Sequence, residues 1–334
     1  MVGVSTPELA AAVSNAGGLG SLGLGASTPE KAEKIIIATR KLTDKPFNVN
    51  FFCHKPVSRN QEREQKWIGF LEPAFRQNGS QPPKQLNEIY KSFVEDEDMF
   101  RMLLRQKPAV ISFHFGIPKQ HWIDELRKNG SFTMATATSL HEARTIADSG
   151  MDAVVAQGIE AGGHRGIFDT DAHDSELSTA ELVELLASSN LGIPVVAASG
   201  IMNGSDISEM LSRGADAAQL GTAFVLCPES GTNASYRQKL QAAEGETCVT
   251  SVISGRPARG IVTPFIEDCQ RENAPPPAEY PLTYDLNKQL NSVDRKGSKT
   301  GDFAAYWAGT NYHVARSMPA ALLVRTLVEE MGAE

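Results

Sequence analysis

Ala153-Val154-Val155-Ala156-Gln157-Gly158-Ile159-Glu160-Ala161-Gly162-Gly163-His164-Arg165-Gly166 is the stretch whose reading decides the fold. Its first five residues form a short, non-alternating apolar run, the pattern of a strand buried on both faces of a parallel sheet. The run ends on Gln157 and gives way to a glycine-rich loop carrying His164. Working outward, the pattern recurs upstream at 19–23, 47–52, 109–114 and 132–136, and downstream at 194–198 and 217–220. Segments 6–16, 29–42, 96–105, 140–148, 180–187 and 205–213 have apolar residues at helical spacing. Strands alternating with helices imply βαβ units and a parallel sheet.

Polar residues and glycines gather at the carboxyl ends of these runs: Asn48, Asn50, His114, Thr136, Gln157, Gly200, Gly221 and Thr222. In a barrel those ends form the active face. The chain has 334 residues, enough for a barrel of about 250 plus a further unit. The expected fold is therefore α/β, a TIM-type (β/α)8 barrel with a smaller cap. Seven strands are legible where a closed barrel has eight, and the chain opens at Met1-Val2-Gly3, where a first strand should end. The preferred expectation is a chain that begins inside the fold and lacks this strand. The alternative is a first strand that is short or displaced.

The expected division is 1–225 for the barrel, 226–301 for a cap and substrate subdomain, and 302–334 for a helical return to the barrel. Residues 58–95, charged and rich in Gln and Pro, read as an excursion between strand and helix. Ala274-Pro275-Pro276-Pro277-Ala278 marks the middle of the cap.

A net charge of −8 argues against a nucleic-acid partner, which would require a basic surface. No apolar run approaches the roughly 20 residues of a membrane span, and no secretory signal opens the chain. The four cysteines, Cys53, Cys227, Cys248 and Cys269, are widely spaced and form no CxxC pair. They read as reduced thiols, and the expected location is the cytoplasm. No metal site is expected. Oligomeric state is not legible.

Two glycine-bearing loops follow the last two strands, Ser199-Gly200-Ile201 and Leu220-Gly221-Thr222. Barrels commonly bind phosphate at these positions through backbone N–H groups. Either glycine alone could simply serve a tight turn, but together they indicate a phosphate-bearing ligand. Gly18-Leu19-Gly20-Ser21-Leu22-Gly23 satisfies GxGxxG formally. It lies inside a strand, however, and so fails the structural context of a dinucleotide site.

His164, in a loop at a strand exit, is the candidate general base, since imidazole exchanges protons near neutral pH. The competing reading is an exposed loop histidine. His114 is a candidate pocket residue or a packed core histidine. His54, beside Lys55-Pro56, reads as a loop residue; His121, His141, His173 and His313 read as structural or exposed. Tyr280, Tyr284, Tyr306 and Tyr312 are candidates for the cap-side wall, with Tyr284 foremost. Arg256 and Arg259, in Ser254-Gly255-Arg256-Pro257-Ala258-Arg259-Gly260, suggest either an anion clamp or ordinary surface pairing.

Several motifs together resemble class I nitronate monooxygenases, formerly called 2-nitropropane dioxygenases. They are Met1-Val2-Gly3-Val4-Ser5-Thr6-Pro7-Glu8-Leu9-Ala10-Ala11-Ala12 with Gly17-Gly18-Leu19-Gly20, Asn48-Val49-Asn50-Phe51-Phe52-Cys53-His54, and Ser112-Phe113-His114-Phe115-Gly116. Gly162-Gly163-His164, Gln219-Leu220-Gly221-Thr222-Ala223-Phe224, Trp307-Ala308-Gly309 and Met318-Pro319-Ala320 complete the set, which spans the chain. The resemblance implies an FMN-binding barrel that oxidises alkyl nitronates, such as propionate 3-nitronate, with O2 to a carbonyl compound and nitrite. It implies His164 as catalytic base and Asn48, Gln157, Gly162, Gly163, Gly200, Gly221 and Thr222 as FMN contacts. Family members carry a strand ending Ala-Pro-Met ahead of the residue matching Gly3. The implied role is detoxification. Two alternatives stay open: NAD(P)H-dependent reduction of quinones or enoyl thioesters on the same scaffold, and an inactive remnant without its first strand.

Overall fold

The computed structural model describes residues 1–294 and 302–332. Its strands are β1 (Gly20–Gly23), β2 (Phe47–Phe52), β3 (Val110–His114), β4 (Phe132–Ala137), β5 (Ala153–Gln157), β6 (Gly163–His164), β7 (Val195–Ala198), β8 (Ala217–Gln219), β9 (Thr247–Thr250) and β10 (Ala258–Ile261). Seven of them form one sheet in the order β1-β2-β3-β4-β5-β7-β8, with every neighbouring pair parallel. Strands adjacent in sequence are adjacent in space, with helices crossing over between them, which is the winding of a barrel.

Side chains alternate across each strand. In β5, Val154 and Ala156 pack with Ile146, Leu182 and Leu186 of the surrounding helices. Val155 faces inward with Met134, Ala153 and Ala198. Local chemistry sets the helix starts. Thr6 caps Pro7–Asn15 and Thr28 caps Pro29–Arg40, each with proline in the first turn. Ser178 and Asn203 begin Thr179–Ala187 and Gly204–Ser212 with capping boxes.

Among the described residues β1 and β8 are not paired. The segment 1–5 lies across that seam. The Gly231 N–H donates to the Val4 carbonyl at 2.8 Å; the Gly23 N–H donates to Ser5 Oγ at 2.8 Å, and Ser5 Oγ donates to the Met1 carbonyl at 2.9 Å.

A second core lies beside the barrel, where Trp67, Phe75, Leu86, Phe265, Leu282, Leu286 and Leu290 are buried together. It joins the helix Gln61–Gln77 to the helix Leu282–Asp294, so the excursion at 58–95 contributes a 17-residue helix. Two expectations are corrected. Gly163-His164 is not loop but a short strand, paired antiparallel with β10 so that His164 opposes Ala258. The tail is helical only over Ala320–Met331; before it, Trp307 bridges to Gly260 and Tyr312–Val314 forms a single 3-10 turn. Residues 295–301 of the expected cap and 333–334 of the expected return lie outside the described residues.

Candidate active site

The strand exits open into a cavity of about 400 Å³, within the size range of small-molecule sites. Ten sequence-derived candidates meet here: Asn48, His114, Gln157, Gly162, Gly163, His164, Gly200, Gly221, Thr222 and Tyr284 all line it; of the other wall candidates Tyr280 lines it too, while Tyr306 and Tyr312 do not. No Asp, Glu, Lys or Arg does so among the described residues. An anion entering therefore meets dipoles, rings and the Met1 amine rather than carboxylates. No group of three or more His, Cys, Asp or Glu side chains placed to hold a metal occurs among the described residues.

His164 is fixed through its backbone. Its carbonyl accepts from Gln157 Nε2 at 3.0 Å and contacts His114 Nε2 at 3.2 Å. A carbonyl can only accept, so His114 carries its proton on Nε2. Gln157 also accepts the Gly166 N–H through Oε1 at 2.7 Å. Its amide thus pins the 163–166 segment to the barrel exit. Arg165, 1% exposed, completes the attachment by donating to the carbonyls of Gln157 and Gly158 and pairing with Asp174 at 2.9 Å. The His164 ring lies among Phe115, Tyr280, Tyr284 and Trp307, at centroid distances of 5.5, 5.6, 6.2 and 5.3 Å, and its Nε2 lies 2.9 Å from Ser254 Oγ.

These surroundings disfavour charge on the imidazole. Burial, reinforced by His114, Arg256 and His54, pushes the His164 pKa down to about 3. Burial first, and Arg256 among the neighbours, lowers His114 and His54 to about 4. Arg256 is itself 6% exposed, lies 4.3 Å above the Phe115 ring and donates to the Ile167 carbonyl. The expected surface pairing is thus not what the structure shows for Arg256, and Arg259 likewise spends its guanidinium on the Ile159 carbonyl at 3.0 Å. Neither arginine lines the cavity.

Another part of the cavity wall presents backbone donors at two glycine turns. Ser199 and Gly200 both have positive φ, 131° and 67°, as the chain turns out of β7. A Cβ at Gly200 would lie 3.2 Å from Glu160 Cβ. The N–H groups of Gly200, Gly221 and Thr222 have no acceptor among the described residues. Thr222 Oγ1 accepts the Gly309 N–H at 3.1 Å, which leaves its own proton free to donate. Asn48, also lining the cavity, donates its amide to Ser21 and Ser112, while its Oδ1 is buried without a partner. A phosphate at the glycine loops and a donor-bearing ring over Asn48 fit these unfilled groups; a flavin mononucleotide has both.

Sequence reasoning quoted two contributors within longer motifs but gave them no role in the site. The segment 307–311 closes the cavity: Trp307, Gly309 and Asn311 line it, and Asn311 donates to the Gly200 carbonyl at 2.9 Å. Ser254 touches His164 from a turn that precedes β10. The first had a signal in Trp307-Ala308-Gly309; the second had none, because a lone serine carries no pattern.

The family model described as "Nitronate monooxygenase" matches residues 1–330. A nitronate monooxygenase of Paraburkholderia phytofirmans is 49% identical, over 99% of this chain and 90% of that protein. One of Pseudomonas aeruginosa is 48% identical, over 99% and 94%. Among solved structures, a nitroalkane oxidase from Streptomyces ansochromogenes is similar with a TM-score of 0.90 at 35% identity, covering 99% of this chain and 93% of that one. FabK from Thermotoga maritima is similar with a TM-score of 0.73 at 28% identity, covering 99% and 90%.

Proposed function

The chain belongs to the nitronate monooxygenase family, and on that premise we propose that its cavity binds FMN, with His164 as the base that serves the reaction. Members of the family are flavin-dependent oxidoreductases that oxidise small nitronates with O2. The observation that carries the reading is the position of His164: a neutral imidazole held at a barrel-strand exit, on a carboxylate-free cavity whose wall also presents unfilled N–H donors.

When bound, FMN supplies a two-electron acceptor and the route by which those electrons reach O2. The chain's own residues do the rest. Gly200, Gly221 and Thr222 hold the phosphate, and Asn48 meets the ring system. Tyr280, Tyr284 and Trp307 exclude water around the substrate. A nitronate arrives already deprotonated and needs orientation and desolvation. A neutral nitroalkane must first lose its α-proton. His164, uncharged near neutral pH, is free to take it. The imidazolium formed lies beside the nitronate anion, and that attraction offsets the burial that otherwise weakens the base.

His164→Asn tests the assignment. With a neutral nitroalkane, kcat/KM falls about 10²–10⁴-fold, the usual contribution of a positioned base; with preformed nitronate the loss is much smaller. Equal, negligible effects on both substrates remove His164 from the mechanism. Heat release of the cofactor and chromatography against FMN and FAD standards tests the cofactor, and FAD alone in the supernatant overturns FMN.

A further inference from the structure

We propose that Ser254 is a positioning residue that holds His164 as its Nε2–H tautomer and so presents the Nδ1 lone pair to the substrate. Ser254 is fully buried, and its Oγ sits between three groups: the Arg256 N–H at 3.3 Å, the Arg256 carbonyl at 3.0 Å and His164 Nε2 at 2.9 Å. A hydroxyl has one proton to give and two lone pairs to receive with. The amide can only donate and the carbonyl can only accept. When Ser254 gives its proton to the Arg256 carbonyl, its lone pairs are filled by the Arg256 N–H and by His164 Nε2–H, and every group at the turn is satisfied. The reverse arrangement, Ser254 donating to a bare Nε2, leaves the buried Arg256 carbonyl without this donor, a cost typical of unpaired buried polar groups.

The other nitrogen follows. Nδ1 of His164 has no hydrogen-bond partner among the described residues, and the ring lines the cavity. The backbone makes the geometry stiff. His164 is paired with Ala258 across β6 and β10, and the Arg165 N–H donates to the Pro257 carbonyl at 2.9 Å. The turn 254–257 is thereby held against the histidine. The remaining surroundings of the ring are Phe115, Tyr280, Tyr284 and Trp307, with Arg256, His114 and His54 as the charged or titratable groups nearby. None of these bonds the ring nitrogens. Choice of tautomer therefore falls to Ser254. In the proton transfer, the substrate's α-proton passes to Nδ1. The C–H electron pair enters the nitro group to give the nitronate. The resulting imidazolium keeps its Nε2–H on Ser254.

This rests on the reading of His164 as base, but the decisive measurement does not. In the holoenzyme labelled with ¹⁵N-histidine, the His164 signals, assigned by their loss in His164→Asn, are expected to show a pyrrole-type Nε2 and a pyridine-type Nδ1 at neutral pH. A pyridine-type Nε2 overturns the proposal whatever His164 does in catalysis. Ser254→Ala is expected to mix the tautomers and to lower kcat for a neutral nitroalkane about 10–100-fold, on the scale of losing the partner that orients a metal-ligating histidine. Oxidation of preformed nitronate should change little, and Ser254→Thr, which keeps the hydroxyl, should restore most of the loss. A tautomer ratio unmoved in Ser254→Ala, or a nitroalkane rate unmoved once the ratio has changed, also overturns it.

Discussion

Three imidazoles, His54, His114 and His164, share the field of one buried guanidinium, Arg256. Burial is the larger cause of their lowered basicity, and the guanidinium adds to it. In an unfolded chain each would titrate near pH 6.5; folded, they titrate near 3 to 4. Between those values the unfolded chain binds more protons. The associated stability is therefore fully present above about pH 6.5 and is lost as the pH falls toward 4. The slope is at most about 1.4 kcal/mol per pH unit for each histidine, and solvent reaching the partly exposed His114 and His164 lowers it. We expect calorimetry to show Tm falling between pH 7 and pH 5, more steeply than Asp and Glu titration provides, with part of the slope removed in His54→Asn. A Tm flat across that interval contradicts the lowered values. The same shifts predict no ionisation of His164 in kcat/KM for nitronate between pH 5 and 8.

At the scale of elements, the site depends on two segments meeting backbone to backbone. A Cβ placed on Gly162 would lie 2.5 Å from the Gly309 nitrogen and 2.6 Å from the Ala308 carbonyl carbon. Neither neighbour is a flexible side-chain tip, so Gly162→Ala must separate the His164 segment from the 307–311 segment. We expect a destabilisation of about 1–3 kcal/mol, as for overpacking a close contact, together with weaker retention of flavin on gel filtration. Unchanged Tm and flavin content would show that the two segments do not depend on each other. The elements themselves were unequally legible. Barrel strands such as β2 and β5 announce themselves because burial on both faces demands continuous apolar runs ending at polar residues or glycine. The helix Gln61–Gln77 does not, because its buried side is narrow: Trp67, Ile68, Leu71 and Phe75 among glutamines and charges, with Pro73 inside it. Strands β6, β9 and β10 are two to four residues long and carry polar residues. Their pairing is set by tertiary contact, which a single sequence does not encode locally. His164 was legible from its glycines; its partner Ser254, ninety residues away, became visible only when β10 was placed beside β6.

On the scale of the whole molecule, a parallel half-barrel supplies the floor of the cavity and a second core supplies its wall. Tyr280 and Tyr284, at the start of the Leu282–Asp294 helix that packs on Gln61–Gln77, face His164 from the side of that second core. No helix of the described residues is long and apolar enough to cross a membrane. The barrel architecture was legible from strand and helix alternation. The wall was legible only as its tyrosines, Tyr280 and Tyr284; its packing on Gln61–Gln77 was not, because the two segments lie some two hundred residues apart. On the proposed reading, this arrangement would receive a small anion, exclude water from it and keep the neutral His164 imidazole at hand. The most direct measurement is anaerobic mixing of the purified, flavin-loaded protein with propyl-2-nitronate and, separately, with NADH, followed by visible absorbance. We predict loss of the oxidised flavin band with nitronate and none with NADH, and recovery when O2 is admitted. Bleaching by NADH with nitronate inert, or a colourless protein that FMN does not restore, would contradict nitronate oxidation at this site.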